Sequence, residues 1–131
     1  MKNNLLIILK YLYYFSLCGL LVLYLFPGSL VGFFLYGDIG KQPDLILNPI
    51  GTSINHLIYF FWITILAKNI KIKKYYLLNN INFILFLSIF LEISHFVIPN
   101  RSYETYDLIA NISGIFFALS IYKIYIWLKK S

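Results

Sequence analysis

Four runs of apolar residues, each near the length needed to cross a lipid bilayer, dominate this 131-residue sequence. A helix rises about 1.5 Å per residue and the hydrocarbon core is about 30 Å thick, so roughly 20 apolar residues in a row make a span. The runs cover about residues 5–26, 50–67, 77–98 and 106–128. The first is broken only by Lys10 and stops at Pro27-Gly28, the third stops at Pro99, and the fourth is followed by Lys129-Lys130. Proline and glycine are the strongest local stop signals. The pattern predicts an all-α integral membrane four-helix bundle, one domain over residues 1–131.

Composition agrees. The chain is 60% apolar and 12% charged, against about 25% charged in a soluble domain. Too few charges remain to cover a water-facing surface, so most of the surface is expected to face lipid. Twelve tyrosines and twelve phenylalanines supply interfacial anchors.

The lysines orient the spans. Lys68, Lys71, Lys73 and Lys74 lie between the second and third runs; Lys2 and Lys10 lie at the N-terminus, and Lys123, Lys129 and Lys130 at the C-terminus. The two remaining connections hold only Lys41 and Arg101, both accompanied by acids. Short positive segments stay on the cytoplasmic side, which places both termini inside. The net charge of +6 is thus a topology signal, and its scatter in short connections argues against nucleic-acid binding.

The connection between the first two spans is longer and lies outside. Within it Ser29 to Tyr36 is apolar but too short to span, and reads as an interfacial or re-entrant piece. The first run is too long for a signal-peptide core and ends without a cleavage-like site. Cys18, the only cysteine, continues into Gly19-Leu20-Leu21, so lipidation is rejected and a buried, inert thiol expected.

Ionisable groups within spans are costly and mark function by default. Three of the five acids, Glu92, Glu104 and Asp107, fall within sixteen positions, with the only arginine, Arg101, among them. Ser88, Glu92, His95 and Pro99 are spaced to share one helix face, as are Asp107, Asn111, Gly114 and Ala118, and more briefly Thr52, His56 and Tyr59. Glu92 lies roughly 10 Å below Pro99, Asn111 roughly 6 Å below Asp107 and His56 roughly 9 Å below Ile50. Three spans therefore bring polar groups to one depth in the outer leaflet. The first span carries none of them and reads as packing.

Plainer roles exist for several of these residues. Glu104 and Asp107 suit the positive start of a helix. Arg101 suits the headgroup region or a pair with Glu104, while Asn111 and Gly114 suit interhelical bonding and close packing. Glu92 requires a partner, for which His95 is nearest and Arg101 the expected charge. His56, Glu92 and His95 also form a two-histidine, one-carboxylate set. Di-iron bundles take a Glu-x-x-His motif from each of two helices; it occurs once here, and the expectation is no metal and no cofactor. No trustworthy serine–histidine–acid order, phosphate-binding glycine loop or cysteine pair is present.

Glu92 to Gly114, read as Glu-x-x-His-x-x-x-Pro-x-Arg-Ser-x-Glu-x-x-Asp-x-x-x-Asn-x-x-Gly, resembles the signature of the VanZ-like family. These are small bacterial multi-pass membrane proteins named for a teicoplanin-resistance protein. Glu92, Pro99, Arg101, Asp107, Asn111 and Gly114 match directly; Glu104 stands where the family usually has Asp, and His95 where it has Gln. Upstream, His56-Leu57-Ile58-Tyr59-Phe60 resembles its His-x-x-x-Phe segment, with Thr52 where an Asp is frequent. The resemblance implies a location in the bacterial plasma membrane and a link to glycopeptide resistance.

With the residues, this gives an expected function. His56, Glu92, His95, Arg101, Glu104, Asp107 and Asn111 would form an outer-leaflet site for an anionic lipid-linked or cell-wall headgroup, held by Arg101. Pro99 and Gly114 would be structural. The partners would be membrane lipid and a lipid-linked cell-wall precursor or glycopeptide. Two alternatives stay open: a structural or accessory subunit whose polar cluster only locks the helices, and an enzyme acting on such a lipid with Glu92 or His95 as base.

Overall fold

In a computed structural model of the protein, residues 2–43, 51, 53–70 and 80–130 are described, and all their regular structure is helical. Five helices follow in order: α1 (Lys2–Leu25), α2 (Leu30–Tyr36), α3 (Ser53–Asn69), α4 (Ile81–Ser94) and α5 (Thr105–Lys130). Asp44, Ile50, Thr52, the start of the third apolar run and Lys71, Lys73 and Lys74 lie outside the described residues.

Two helices are long and apolar enough to cross a membrane. They are Asn4–Leu25 within α1, with mean hydropathy 2.0, and α5, with 1.6. Only 22% and 28% of these stretches are buried inside the protein, unlike the core helix of a soluble domain. α3 and α4 are shorter, at 17 and 14 residues.

α4 ends earlier than the predicted 98. Pro99 disfavours helical geometry at Ile98, and the chain tightens before it: the N–H groups of His95, Phe96 and Val97 bond carbonyls three residues back, at 3.2, 3.1 and 3.0 Å. His95 is therefore the C-cap of α4 rather than a residue within it. The Ser29–Tyr36 piece is a short helix. The Ser29 hydroxyl oxygen accepts from Gly32 N–H at its start, and Gly37, in the left-handed region (φ 69°), closes its end.

α3 packs against α1 and most extensively against α5, while α4 packs against α1 and α5. The α3–α5 contact depends on Gly114. A Cβ there would fall 2.3 Å from the Leu57 carbonyl oxygen, so only glycine lets the two backbones approach this closely. On α1, Tyr13, Leu17, Leu20 and Tyr24 face the core at helical spacing. Cys18 lies off that stripe and is exposed, which corrects the expectation of a buried thiol.

Beside the apolar core, several polar groups are buried while large apolar side chains lie on the surface. Glu92, Asn111, Ser88 and Thr64 are fully buried, while Val97, Phe15 and Phe34 are 83%, 77% and 76% exposed. Charged and amide groups inside, with large apolar groups outside, is the reverse of what water selects.

Candidate functional site

Ser53, Glu92, His95, Asp107 and Asn111, all buried, collect at one end of the protein, where α1 and α4 finish and α3 and α5 begin, whereas the buried Ser16 and Thr64 lie within α1 and α3 away from it. Helix ends carry unpaired backbone groups, so partners gather there naturally.

Tyr24, near the end of α1, stands at the centre. Its hydroxyl donates to Asn111 Oδ1 at 2.8 Å and lies 2.5 Å from His56 Nδ1. Its ring stacks on His95 at 5.4 Å and meets His56 edge-on at 5.2 Å. The first helix is thus part of the site, contrary to its reading as packing alone. One tyrosine among twelve gave no signal in the sequence.

His56 Nε2 lies 3.5 Å from Asp107 Oδ2. The other Asp107 oxygen accepts from the Ser53 hydroxyl at 2.5 Å. Ser53 is a second participant that sequence spacing missed, because it sits three positions before His56 and looks like an ordinary helix start. Asn111 Nδ2 reaches the Ser88 carbonyl at a long 3.5 Å. Tyr59, placed on the His56 stripe by spacing, instead donates to the Ser16 carbonyl at 2.8 Å.

Glu92 is fully buried in the last turn of α4. Its Oε1 accepts from the Glu104 backbone N–H at 3.2 Å and lies 3.4 Å from His95 Nδ1. The Glu104 carboxylate itself is exposed, so this residue contributes its backbone to the cluster. Burial, with Asp107 and Glu92 nearby, pushes the Glu104 carboxyl above its ordinary range.

Arg101 does not pair with Glu92 or Glu104: no Arg101–carboxylate ion pair occurs among the described residues. Its Nη2 donates to the Leu23 carbonyl at 2.6 Å, and its Nε to that of Phe26 at 3.4 Å. Carbonyls in the last turn of a helix lack intrahelical donors and sit at its negative pole, which makes them a natural seat for a guanidinium. Burial lowers the Arg101 pKa, while Tyr24, Glu92 and Asp107 act in the opposite direction.

Beside this network lies a cavity of about 110 Å³ lined by α1, α2, α3 and flanking segments. Tyr24, His56, Tyr59, Asn55, Gln42 and Arg101 give it polar walls, and among the described residues Arg101 is the lysine, arginine or acidic residue that lines it. Glu92, His95 and Asp107 do not line it.

His56, Glu92 and Asp107 each place one ligand-type atom within 4.8 Å of the others. Asp107, rather than His95, completes this set. Searches against family models, curated proteins and solved structures give no match for the chain.

Proposed function

We propose that the chain is a VanZ-like protein of the bacterial plasma membrane. In this reading α1, α3, α4 and α5 form a four-helix membrane bundle with both termini inside, and the polar end binds an anionic lipid-linked or cell-wall headgroup. Buried ionisable groups together with widely exposed large apolar side chains support membrane embedding. Lys68, Lys129 and Lys130 lie in the last turns of α3 and α5, at the opposite end from the polar cluster. That fits a cluster at the outer face. α3 and α4 are somewhat short for the hydrocarbon core, a mismatch that local thinning of the bilayer accommodates. α2, seven residues long with Phe34 and Leu35 exposed, suits the membrane surface.

The observation that carries the headgroup reading is Arg101 in the cavity wall. Two of its five N–H donors are used by the Leu23 carbonyl of α1 and the Phe26 carbonyl just past its end, leaving others for an oxyanion in a space of about 110 Å³. A base for chemistry would have to reach the same ligand; Glu92 and His95, the expected bases, lie outside the lining, which weighs against catalysis by these two residues. The link to glycopeptide resistance rests on the resemblance alone.

The test is retention of lipid by the purified protein in nanodiscs, read by native mass spectrometry. A polyprenyl phosphate should be retained over the uncharged polyprenol, and R101Q should abolish that preference. Equal retention of both lipids would reject the reading.

The second reading, a network that only locks the helices, is favoured by the hydrogen bonds Tyr24–Asn111 and Ser53–Asp107, which join separate helices. It predicts that E92Q and R101K lose folded protein. If both variants fold normally yet lose lipid preference, it fails.

A further inference from the structure

His56 of α3, Glu92 of α4 and Asp107 of α5 converge through one imidazole nitrogen and one oxygen of each carboxylate, all within 4.8 Å. Two carboxylates this close in the interior repel unless a cation or a proton intervenes. The only arginine is engaged with the carbonyls of Leu23 and Phe26.

The protons available sharpen the need. Tyr24 has one hydroxyl hydrogen, given to Asn111 Oδ1. The contact between that hydroxyl and His56 Nδ1 must then be donated by the ring. With Nδ1 protonated, Nε2 either carries a second proton, making the ring an imidazolium beside Asp107, or carries a lone pair that a cation can take. In the second case the lone pair faces Asp107 Oδ2 at 3.5 Å, one acceptor against another. Glu92 Oε2, on a side chain with 0% exposure, has no hydrogen-bond partner among the described residues.

The other atom of each group is already held. Ser53 donates to Asp107 Oδ1, the Glu104 N–H donates to Glu92 Oε1, and Tyr24 accepts from His56 Nδ1. Metal-binding histidines and carboxylates are oriented in this way, by hydrogen bonds on the side away from the ion.

We propose that His56 Nε2, Asp107 Oδ2 and Glu92 Oε2 bind a divalent transition-metal ion of the Zn²⁺ or Mn²⁺ class. One imidazole and two carboxylates suit these ions, and two negative charges cancel the dication in an apolar interior. Bonds of about 2.0–2.2 Å in a tetrahedral shell place ligand atoms about 3.4 Å apart, so side-chain movements that draw the three groups together accompany binding. Three protein ligands leave coordination positions open, and His56 also lines the cavity, which gives an ion a way in. His95 stays outside the set, its Nδ1 against Glu92 Oε1 and its ring on Tyr24.

The proposal does not depend on headgroup binding, and its test contains no lipid ligand. Tag-free protein in detergent is stripped with EDTA and titrated calorimetrically with ZnCl₂ or MnCl₂, with bound metal counted by mass spectrometry. The expected result is one ion per chain, with H56Q, E92Q and D107N each weakening binding about tenfold or more. D38N, which alters an exposed loop carboxylate, binds like the wild type. Absence of binding up to about 1 mM, or equal binding by all three variants, overturns the proposal. Should the variants not fold, the stripped wild type decides. Its thermal midpoint must rise by several degrees on adding the ion, and an unchanged midpoint overturns the proposal equally.

Discussion

The Tyr24 hydroxyl joins α1 to α5 through Asn111 Oδ1 at 2.8 Å and takes His56 Nδ1 on its other side at 2.5 Å. A single oxygen thus ties the first, third and last helices together. Y24F keeps the ring and its stacking on His95 but leaves two buried polar atoms without a partner. A buried group left unsatisfied costs about 1–3 kcal/mol. Thermal unfolding in detergent should show a clear loss in Y24F. Y59F should lose less, since the Ser16 carbonyl it abandons lies within helix α1.

Gly114 sets the distance between α3 and α5. With the Leu57 carbonyl oxygen 2.3 Å from any Cβ, G114A must push two backbones apart. Overpacking of this kind costs about 1–3 kcal/mol, and the variant should lose thermal stability or folded yield. G40A is the comparison. Its new Cβ would meet only an Asp38 side-chain oxygen at 3.3 Å, so its midpoint should stay close to the wild type.

Arg101 caps α1 through geometry as well as charge. Lysine keeps the charge but offers a point donor in place of a planar fork. R101K should expose the end of α1, read as faster amide exchange through its last turn, and R101Q should do so more strongly. Protection unchanged in both would mean that the contacts to Leu23 and Phe26 hold nothing in place.

Glu104 gives a pH signature. Its carboxyl pKa is raised in the fold, by burial first and then by Asp107 and Glu92. The ionised form is therefore less favoured in the fold than in the unfolded chain, and Glu104's contribution to stability rises as pH falls through the raised pKa. E104Q should match or exceed the wild type at pH 7, and the difference should vanish at acidic pH. A wild type that is the more stable of the two at pH 7 would contradict this sign.

The helices were legible where apolar runs end in proline, glycine or lysine. α1 and α5 fall within a few residues of the expected limits because those limits are chemical stops. Periodicity also placed His56, Glu92, Asp107 and Asn111 on helix faces, and the fold brings them to one end. Partners were harder to foresee. Arg101 was expected on a carboxylate, but the unpaired carbonyls of α1 are a product of tertiary packing and leave no trace in spacing. Tyr24 and Ser53 escaped for a related reason: common residues become distinctive only through what they face. Asp107 displaced His95 from the three-residue set because it lies beside His56 while the His95 ring stacks on Tyr24, pairings between helices that side-chain periodicity does not report.

The bonds that close the polar end join distant parts of the chain: Tyr24 and Asn111 are 87 positions apart, and Arg101 and Leu23 are 78. During synthesis, α1 leaves the ribosome with its tyrosine and terminal carbonyls unmatched; His56 arrives with α3, Arg101 with the segment after α4, and Asn111 only with α5. The polar end is thus completed only when the whole chain is in place. A nascent chain stalled before α5 would lack Asp107 and Asn111, leaving the Ser53 and Tyr24 hydroxyls without these acceptors.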